Sequence, residues 1–233
     1  MKETEEKILF PKGKIASRLT IPEGDARARK VVKRSNYGHV VKFPSVKCNR
    51  IIEAESLLEY DRVILLEMDS NVASFQEQPF MLEYEDDGVI KKIYPDFLVI
   101  RRDGTKTVEE VKPSYKAKLP KFLRRIALEE KALAQHGYSF ELQTENEIRR
   151  EPRLANAKNL LPCRRNKVNP LTKKSVTRHL KNGPLTWAEL ISQIPELSHE
   201  ELKNLVAHGV VSCDLTIPHG VASTYETIKG GAQ

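Results

Sequence analysis

The chain has 233 residues, of which 30% are charged, and carries a formal net charge of +7 with a sequence pI of about 9.2. This length accommodates one large domain or two small ones, and the basic balance permits a polyanionic partner such as nucleic acid without requiring one. Three widely separated cysteines without a CxxC pair argue against a structural zinc site, and the lack of any apolar run of ~20 residues argues against a membrane span.

Charge dominates the first 50 residues. Residues 1–24 lack the apolar core of a signal peptide and predict little regular structure. Residues 25–50 contain one acid, Asp25, among many bases, so they form either a solvated arm or an arm that contacts DNA phosphates. The candidate DNA-binding residues of this arm are Arg27, Arg29, Lys30, Lys33, Arg34, Lys42, Lys47 and Arg50.

The next segment alternates helix and strand signals. Apolar residues at heptad spacing predict a helix over 51–68. Residues 81–113 then predict three strands, because Asp87–Gly88 and Asp103–Gly104 are typical hairpin turns.

A strongly amphipathic pattern predicts a second helix over 121–135, ended by Gly137, and residues 138–145 predict a further strand. A helix between two strands usually returns the second strand to the same sheet. We therefore expect an α/β fold with a mixed sheet flanked by helices over residues 25–160.

The remainder, residues 161–233, predicts a second, small domain, which follows a polar and basic stretch at 151–170. Thr186 and Ser198 are suitable N-caps for two short helices. Two short strands follow around a Pro-His-Gly turn. With the basic stretch 171–184 as a first helix, three helices are followed by a hairpin, which is the order of a winged helix, a DNA- or partner-binding fold.

The hairpin centred on Asp103–Gly104 brings chemical groups together. Side chains two apart share one face of a strand, so Glu110 and Lys112 point together while Glu109 points away and is expected to be dispensable. The two arms of the hairpin have matching lengths, which places Asp96 near Glu110.

Two converging carboxylates repel each other unless a cation neutralises them, and such oxygen ligands suit Mg²⁺. A nearby lysine can orient or deprotonate a water, or stabilise charge on a phosphate. Together these groups suffice for phosphodiester hydrolysis. The alternative is an ordinary hairpin with a solvated Glu/Lys face, since the pattern Pro-Asp…Glu-x-Lys is short.

A helix ahead of the strands offers a third acid. Glu55 and Glu59 are four residues apart and share a helical face, so either could reach a metal. Glu59 also completes a capping box with Ser56, which would explain it without a metal.

The ordered motifs resemble the TnsA family of transposon endonuclease subunits. They are the S-x-L-E segment Ser56–Glu59, the segment Gln76–Pro79, the strand Pro95–Val99 and the segment Glu110–Pro113. The resemblance covers roughly residues 25–145 and implies a restriction-endonuclease-like domain of the PD-(D/E)xK class, with a winged-helix-like domain after it.

The resemblance also implies the site. The catalytic residues would be Glu59, Asp96, Glu110 and Lys112, and the metal ligands Glu59, Asp96, Glu110 and Val111. The expected cofactor is Mg²⁺, as two ions, for which Mn²⁺ can substitute. Glu59 is preferred to Glu55 because it occupies the acid position of the S-x-L-E motif.

The family role implies partners. A TnsA-like subunit nicks the 5′ ends of the element on double-stranded DNA, beside a TnsB-like DDE transposase and a TnsC-like AAA+ ATPase. This implies a prokaryotic, cytoplasmic protein with no membrane partner. Two alternatives stay open: a stand-alone restriction or repair nuclease, and a non-catalytic DNA-binding adaptor.

Overall fold

The computed structural model describes residues 15–24, 27–29 and 40–228. These residues form two compact units. The first contains the described residues up to Val63 together with Asn71–Ile148, and the second contains Ile64–Ser70 and the described residues from Arg149 onward. The predicted boundary between residues 160 and 161 therefore lies inside the second unit.

Nine strands and the following helices belong to or begin in the first unit, within the described ranges. The strands are β1 (Ser17–Thr20), β2 (Val41–Ser45), β3 (Arg50–Ala54), β4 (Val72–Glu77), β5 (Met81–Asp86), β6 (Val89–Ile93), β7 (Phe97–Arg101), β8 (Lys106–Val111) and β9 (Ser139–Gln143). The helices are α1 (Leu57–Met68), α2 (Ser114–Ala117), α3 (Pro120–Gln135) and α4 (Glu145–Ile148).

The main sheet is mixed, in the order β4-β7-β8-β9. β7 and β8 form the predicted hairpin, and β8 pairs with β9 in parallel after the chain has passed through α3. This confirms the predicted crossover. The parallel pairing places the ends of β8 and β9 at the same sheet edge, where β7 starts.

A second sheet, β1-β5-β6, shares a core with the first. Helix α3 contributes buried apolar residues to this core, and Gly137 ends the helix with a φ of 80°. The core cluster contains Leu19, Phe80, Leu82, Tyr84, Val108, Ala132 and Leu133.

Three local predictions were wrong. The strand β1 lies in the segment expected to be irregular, because its residues pair with β5 far along the chain. Residues 51–54 form the second strand of the β2–β3 hairpin instead of the start of the helix, with Ile51 exposed and Ile52 buried as in a strand. Pro95 and Asp96 split the predicted middle strand into β6 and β7, since a proline removes a sheet donor.

Besides the end of α1, the second unit contains four α-helices, two 3₁₀ helices (Leu161–Arg165 and Leu180–Asn182) and three strands within its described residues. In chain order, the α-helices and strands are α5 (Arg153–Leu160), α6 (Pro170–His179), β10 (Leu185–Thr186), α7 (Trp187–Gln193), α8 (His199–Ala207), β11 (Val211–Cys213) and β12 (Thr224–Thr227). Both predicted N-caps are present as complete capping boxes, at Thr186 and Ser198. The strands order as β10-β12-β11, and the winged-helix assignment stays a prediction.

None of the helices in the described ranges has the length and apolar character needed to cross a membrane.

Candidate active site

The candidate site lies where β7 starts and β8 ends. Phe97 pairs with Glu109 across the hairpin, so Asp96 lies opposite Glu110, as the hairpin register predicts. The backbone N–H of Val111 donates a 2.7 Å hydrogen bond to Oδ2 of Asp96. This bond fixes the Asp96 carboxylate against the last residues of β8.

Lys112 joins the two carboxylates. Its Nζ lies 3.4 Å from Oδ2 of Asp96 and 3.1 Å from Oε1 of Glu110. Burial alone would lower the pKa of Lys112, but Asp96 and Glu110 outweigh that effect and raise it. Lys112 is therefore an ammonium in the absence of metal.

Asp96 is electrostatically poised. Burial and the nearby charge of Glu110 raise the pKa of Asp96 to about 7, although Lys112 opposes the rise. The charge of Glu59 also raises the pKa of Asp96, by a smaller amount. Glu59 is therefore close enough to act electrostatically on Asp96. A carboxyl that titrates near neutrality in a cluster of acids is typical of a functional site.

One oxygen of each strand carboxylate stays available. Val111 and Lys112 both contact Oδ2 of Asp96, and Lys112 and Arg125 both contact Oε1 of Glu110. Asp96 Oδ1 and Glu110 Oε2 therefore accept no hydrogen bond from the described residues. Mg²⁺ is commonly held by one or two carboxylates together with waters. The two oxygens fit that ligand set.

Glu59 is engaged elsewhere. Its Oε2 accepts from the Glu55 backbone N–H at 2.8 Å and its Oε1 accepts from the Ser56 hydroxyl at 2.9 Å. With the 3.1 Å bond from the Glu59 N–H to the Ser56 hydroxyl, these bonds cap the start of α1, although the backbone donor is Glu55 and not Ser56 as in a capping box. Burial raises the pKa of Glu59. Among the described residues no three Asp, Glu, His or Cys side chains are grouped to hold a metal ion, so the three-acid ligand set stays a prediction.

Glu55 serves a different network. Its Oε1 accepts from Arg27 and Gln78, and its Oε2 accepts from Arg29 at 2.6 Å. Burial favours the neutral acid, but these partners outweigh it and lower the pKa of Glu55. The arginines thus favour the ionised form of Glu55, whereas burial favours the neutral form of Glu59.

Glu109 points away from the site, as expected, but it has a structural partner. It is completely buried and accepts two hydrogen bonds from Arg62 of α1, at 2.7 and 2.5 Å. The expectation that Glu109 is dispensable is therefore corrected for stability, because its loss would take two charge-assisted hydrogen bonds from the buried Arg62 guanidinium.

A second charge network supports Glu110 from α3. The Arg125 guanidinium donates to Glu110 at 3.0 Å and to the buried Glu129 at 3.1 Å, and Tyr84 donates to Glu129. Burial raises the pKa of Glu129 to about 7. These residues are not among those predicted from the sequence, because the i,i+4 spacing of Arg125 and Glu129 indicates a helix pair but not its connection to the site.

The predicted DNA-binding arm is only partly described. Arg27 pairs with Glu53 and Glu55, Arg29 pairs with Glu55, and Arg50 forms a two-point pair with the buried Glu77. These arginines thus have intramolecular partners. Lys42 is exposed and lies 3.7 Å from a Glu53 carboxylate oxygen, and Lys47 is half-buried. Lys30, Lys33 and Arg34 lie outside the described residues, and DNA contact by the arm stays a prediction.

The segment that contains this hairpin matches a known protein family. Residues 69–145 match the family described as TnsA-like endonuclease N terminal. The match covers Asp96, Glu110 and Lys112 but not Glu59, and it spans a third of the chain. No curated protein matches the chain. The resemblance to the TnsA family is confirmed for this stretch, the mixed α/β fold agrees with a restriction-endonuclease-like domain, and both support a nuclease.

Proposed function

We propose that the chain is a Mg²⁺-dependent DNA endonuclease that cuts the 5′ ends of a transposon as one subunit of a heteromeric cut-and-paste transposase. The observation that carries the proposal is the Asp96–Glu110–Lys112 cluster at one sheet edge, inside the segment that matches the TnsA-like endonuclease family. A TnsB-like transposase and a TnsC-like ATPase are the proposed protein partners.

The residues would share the work as follows. Asp96 Oδ1 and Glu110 Oε2 would hold Mg²⁺, joined by the Val111 carbonyl and by Glu59 once its carboxylate leaves the helix cap. Bound there, Mg²⁺ would polarise the phosphate and lower the pKa of the attacking water. The Val111 N–H and the Lys112 ammonium hold the Asp96 carboxylate in place.

Lys112 is better suited to stabilise charge than to accept a proton. Its pKa is raised by two acids, so it stays protonated and can face the negative charge that develops on the phosphate. A cation on the other two oxygens, Asp96 Oδ1 and Glu110 Oε2, would leave the Lys112 ammonium on Asp96 Oδ2 and Glu110 Oε1 at the site. The proton acceptor is then a solvent or phosphate oxygen.

The test uses the purified chain with its transposase partner and transposon-end DNA. Cutting at the 5′ ends should require Mg²⁺ or Mn²⁺, and Asp96→Ala should abolish it while DNA binding is kept. Asp103→Ala is the matched control, because Asp103 is an exposed aspartate in the turn of the same hairpin. Normal 5′ cutting by Asp96→Ala would refute the assignment.

The partner requirement separates the alternatives. Robust cutting by the chain alone would favour a stand-alone restriction or repair nuclease. DNA binding that ignores metal, with no reaction changed by Asp96→Ala or Lys112→Ala, would favour a non-catalytic adaptor.

A further inference from the structure

A basic surface directly follows the candidate active-site lysine. From residue 111 to 128 the sequence contains six Lys or Arg residues and no Asp or Glu. Lys116, Lys118 and Lys121 are exposed and form no ion pair with a described residue. Tyr115 is 67% exposed and Leu119 is 53% exposed. We name the five residues the lysine rim: Tyr115, Lys116, Lys118, Leu119 and Lys121.

The lysine rim is anchored next to the site. Both the N–H and the hydroxyl of Ser114 bind the Glu145 carboxylate, at 2.7 and 2.6 Å, which ties the start of α2 to the start of α4. Lys116 follows Lys112 by four residues, so their Cα atoms lie at most about 14 Å apart. The rim therefore starts at the same sheet edge as Asp96 and Glu110.

The neighbouring arginines, unlike the rim lysines, form ion pairs with acidic side chains. Arg125 is held by Glu110 and Glu129, and Arg124 is paired with Asp86 and Asp87. The three rim lysines thus carry the uncompensated charge of this segment, on one short stretch of α2 and the beginning of α3.

We propose that the lysine rim binds the phosphate backbone of the DNA strand that enters the candidate site. This inference rests on the proposed nuclease function and names the surface that positions its substrate. Lysine and tyrosine side chains are common phosphate contacts. A protein partner is the less suitable occupant, since lysine is depleted in protein–protein interfaces.

The experiment measures the salt dependence of DNA binding. Affinity of the full chain for a short fluorescent DNA duplex is followed by anisotropy without divalent metal, over a series of salt concentrations. Each lost phosphate contact lowers the slope of log affinity against log salt by about 0.9, so Lys116→Gln/Lys118→Gln/Lys121→Gln should lower it by about 2 to 3.

A control of equal charge is Lys91→Gln/Lys106→Gln/Lys131→Gln. These lysines are exposed and without ion pairs to described residues, and Lys106 lies at the opposite end of β8 from the site. The slope of this control should match that of the unaltered chain. An unchanged slope in the rim variant, or an equal fall in both variants, would overturn the inference.

The two proposals fail separately. Metal-dependent cutting that Asp96→Ala abolishes, with an unchanged slope in the rim variant, would reject the rim and keep the nuclease. A reduced slope in the rim variant, with no effect of Asp96→Ala on any reaction, would keep the DNA surface and reject the nuclease. A rim variant that keeps the slope but loses a protein partner overturns the DNA assignment.

Discussion

Arg62 and Glu109 form a buried two-point ion pair between α1 and β8, on the face of β8 opposite to Glu110. One strand therefore carries two adjacent glutamates with different duties. Glu109 joins a helix to the sheet, and Glu110 faces the candidate site with Lys112.

Glu109→Ala should destabilise the fold, by about 3–5 kcal/mol, because it removes the carboxylate that accepts two hydrogen bonds from the buried Arg62 guanidinium. Glu110→Gln should keep most of the stability and lose metal binding. Urea denaturation and calorimetric titration with Mn²⁺ measure the two effects. Replacing both members, as Arg62→Met/Glu109→Leu, should recover stability; a stable Glu109→Ala would contradict the structural role.

Metal affinity should depend on pH through Asp96. Its pKa lies at about 7, and a bound cation requires the ionised carboxylate, so affinity should fall about tenfold per pH unit below 7 and level off above it. Calorimetry with Mn²⁺ between mildly acidic and mildly basic pH measures this. An affinity that does not change with pH in this range would contradict a ligand role for an Asp96 with a raised pKa.

The same shift acts in the opposite direction on the metal-free protein. The folded pKa of Asp96 lies above its ordinary value, so its stabilising contribution is complete below that ordinary value and is lost as pH rises through about 7. Asp96→Asn should remove this loss and be more stable than the unaltered chain at pH 8, on the order of 2 kcal/mol. Thermal unfolding with a chelator present is the measurement.

Arg125 should act as a positioning residue for Glu110. Arg125→Gln removes the guanidinium that holds Glu110 Oε1 and should lower metal affinity about 10- to 100-fold, the usual cost of losing a group behind a metal ligand. Arg125→Lys should fall between, because a point charge cannot bind two carboxylates as the guanidinium does.

Arg124→Gln is the matched control, since the neighbouring Arg124 is 61% exposed and pairs with a turn away from Glu110. Equal metal affinity for Arg124→Gln and Arg125→Gln would contradict the positioning role.

Glu59→Gln should separate capping from catalysis. Glutamine also completes a capping box, so the free energy of unfolding should change by less than about 1 kcal/mol, whereas cutting should be lost if Glu59 becomes a ligand. Ser56→Ala weakens only the cap and should cost about 1 kcal/mol while cutting persists. Full cutting activity of Glu59→Gln would show that the Glu59 carboxylate only caps α1.

Local signals carried the successful predictions. The hairpin at Asp103–Gly104, the helix over 121–135 and the Ser198 capping box all follow from residues within a few positions of one another. Those signals were also enough to place Asp96 opposite Glu110, because matching hairpin arms fix the register.

Distant partners account for what the sequence did not reveal. β1 forms because it pairs with β5. Glu109 can be buried because it pairs with Arg62, which lies 47 residues earlier in the chain. Likewise, Arg125 reaches Glu110 only once α3 has packed against the sheet. Contacts between residues far apart in the chain produce no periodic pattern in the sequence, so residue types alone could not assign these roles.

The length of the turn at Asp103–Gly104 sets which glutamate of β8 faces the candidate site. Neighbouring side chains of a strand face opposite ways, so one residue added to this turn would exchange the surroundings of Glu109 and Glu110. Glu110 would then face Arg62, and Glu109 would leave the core. The length of β8 puts this exposed loop roughly 20 Å from the candidate site. The loop is thereby constrained in length though not in composition.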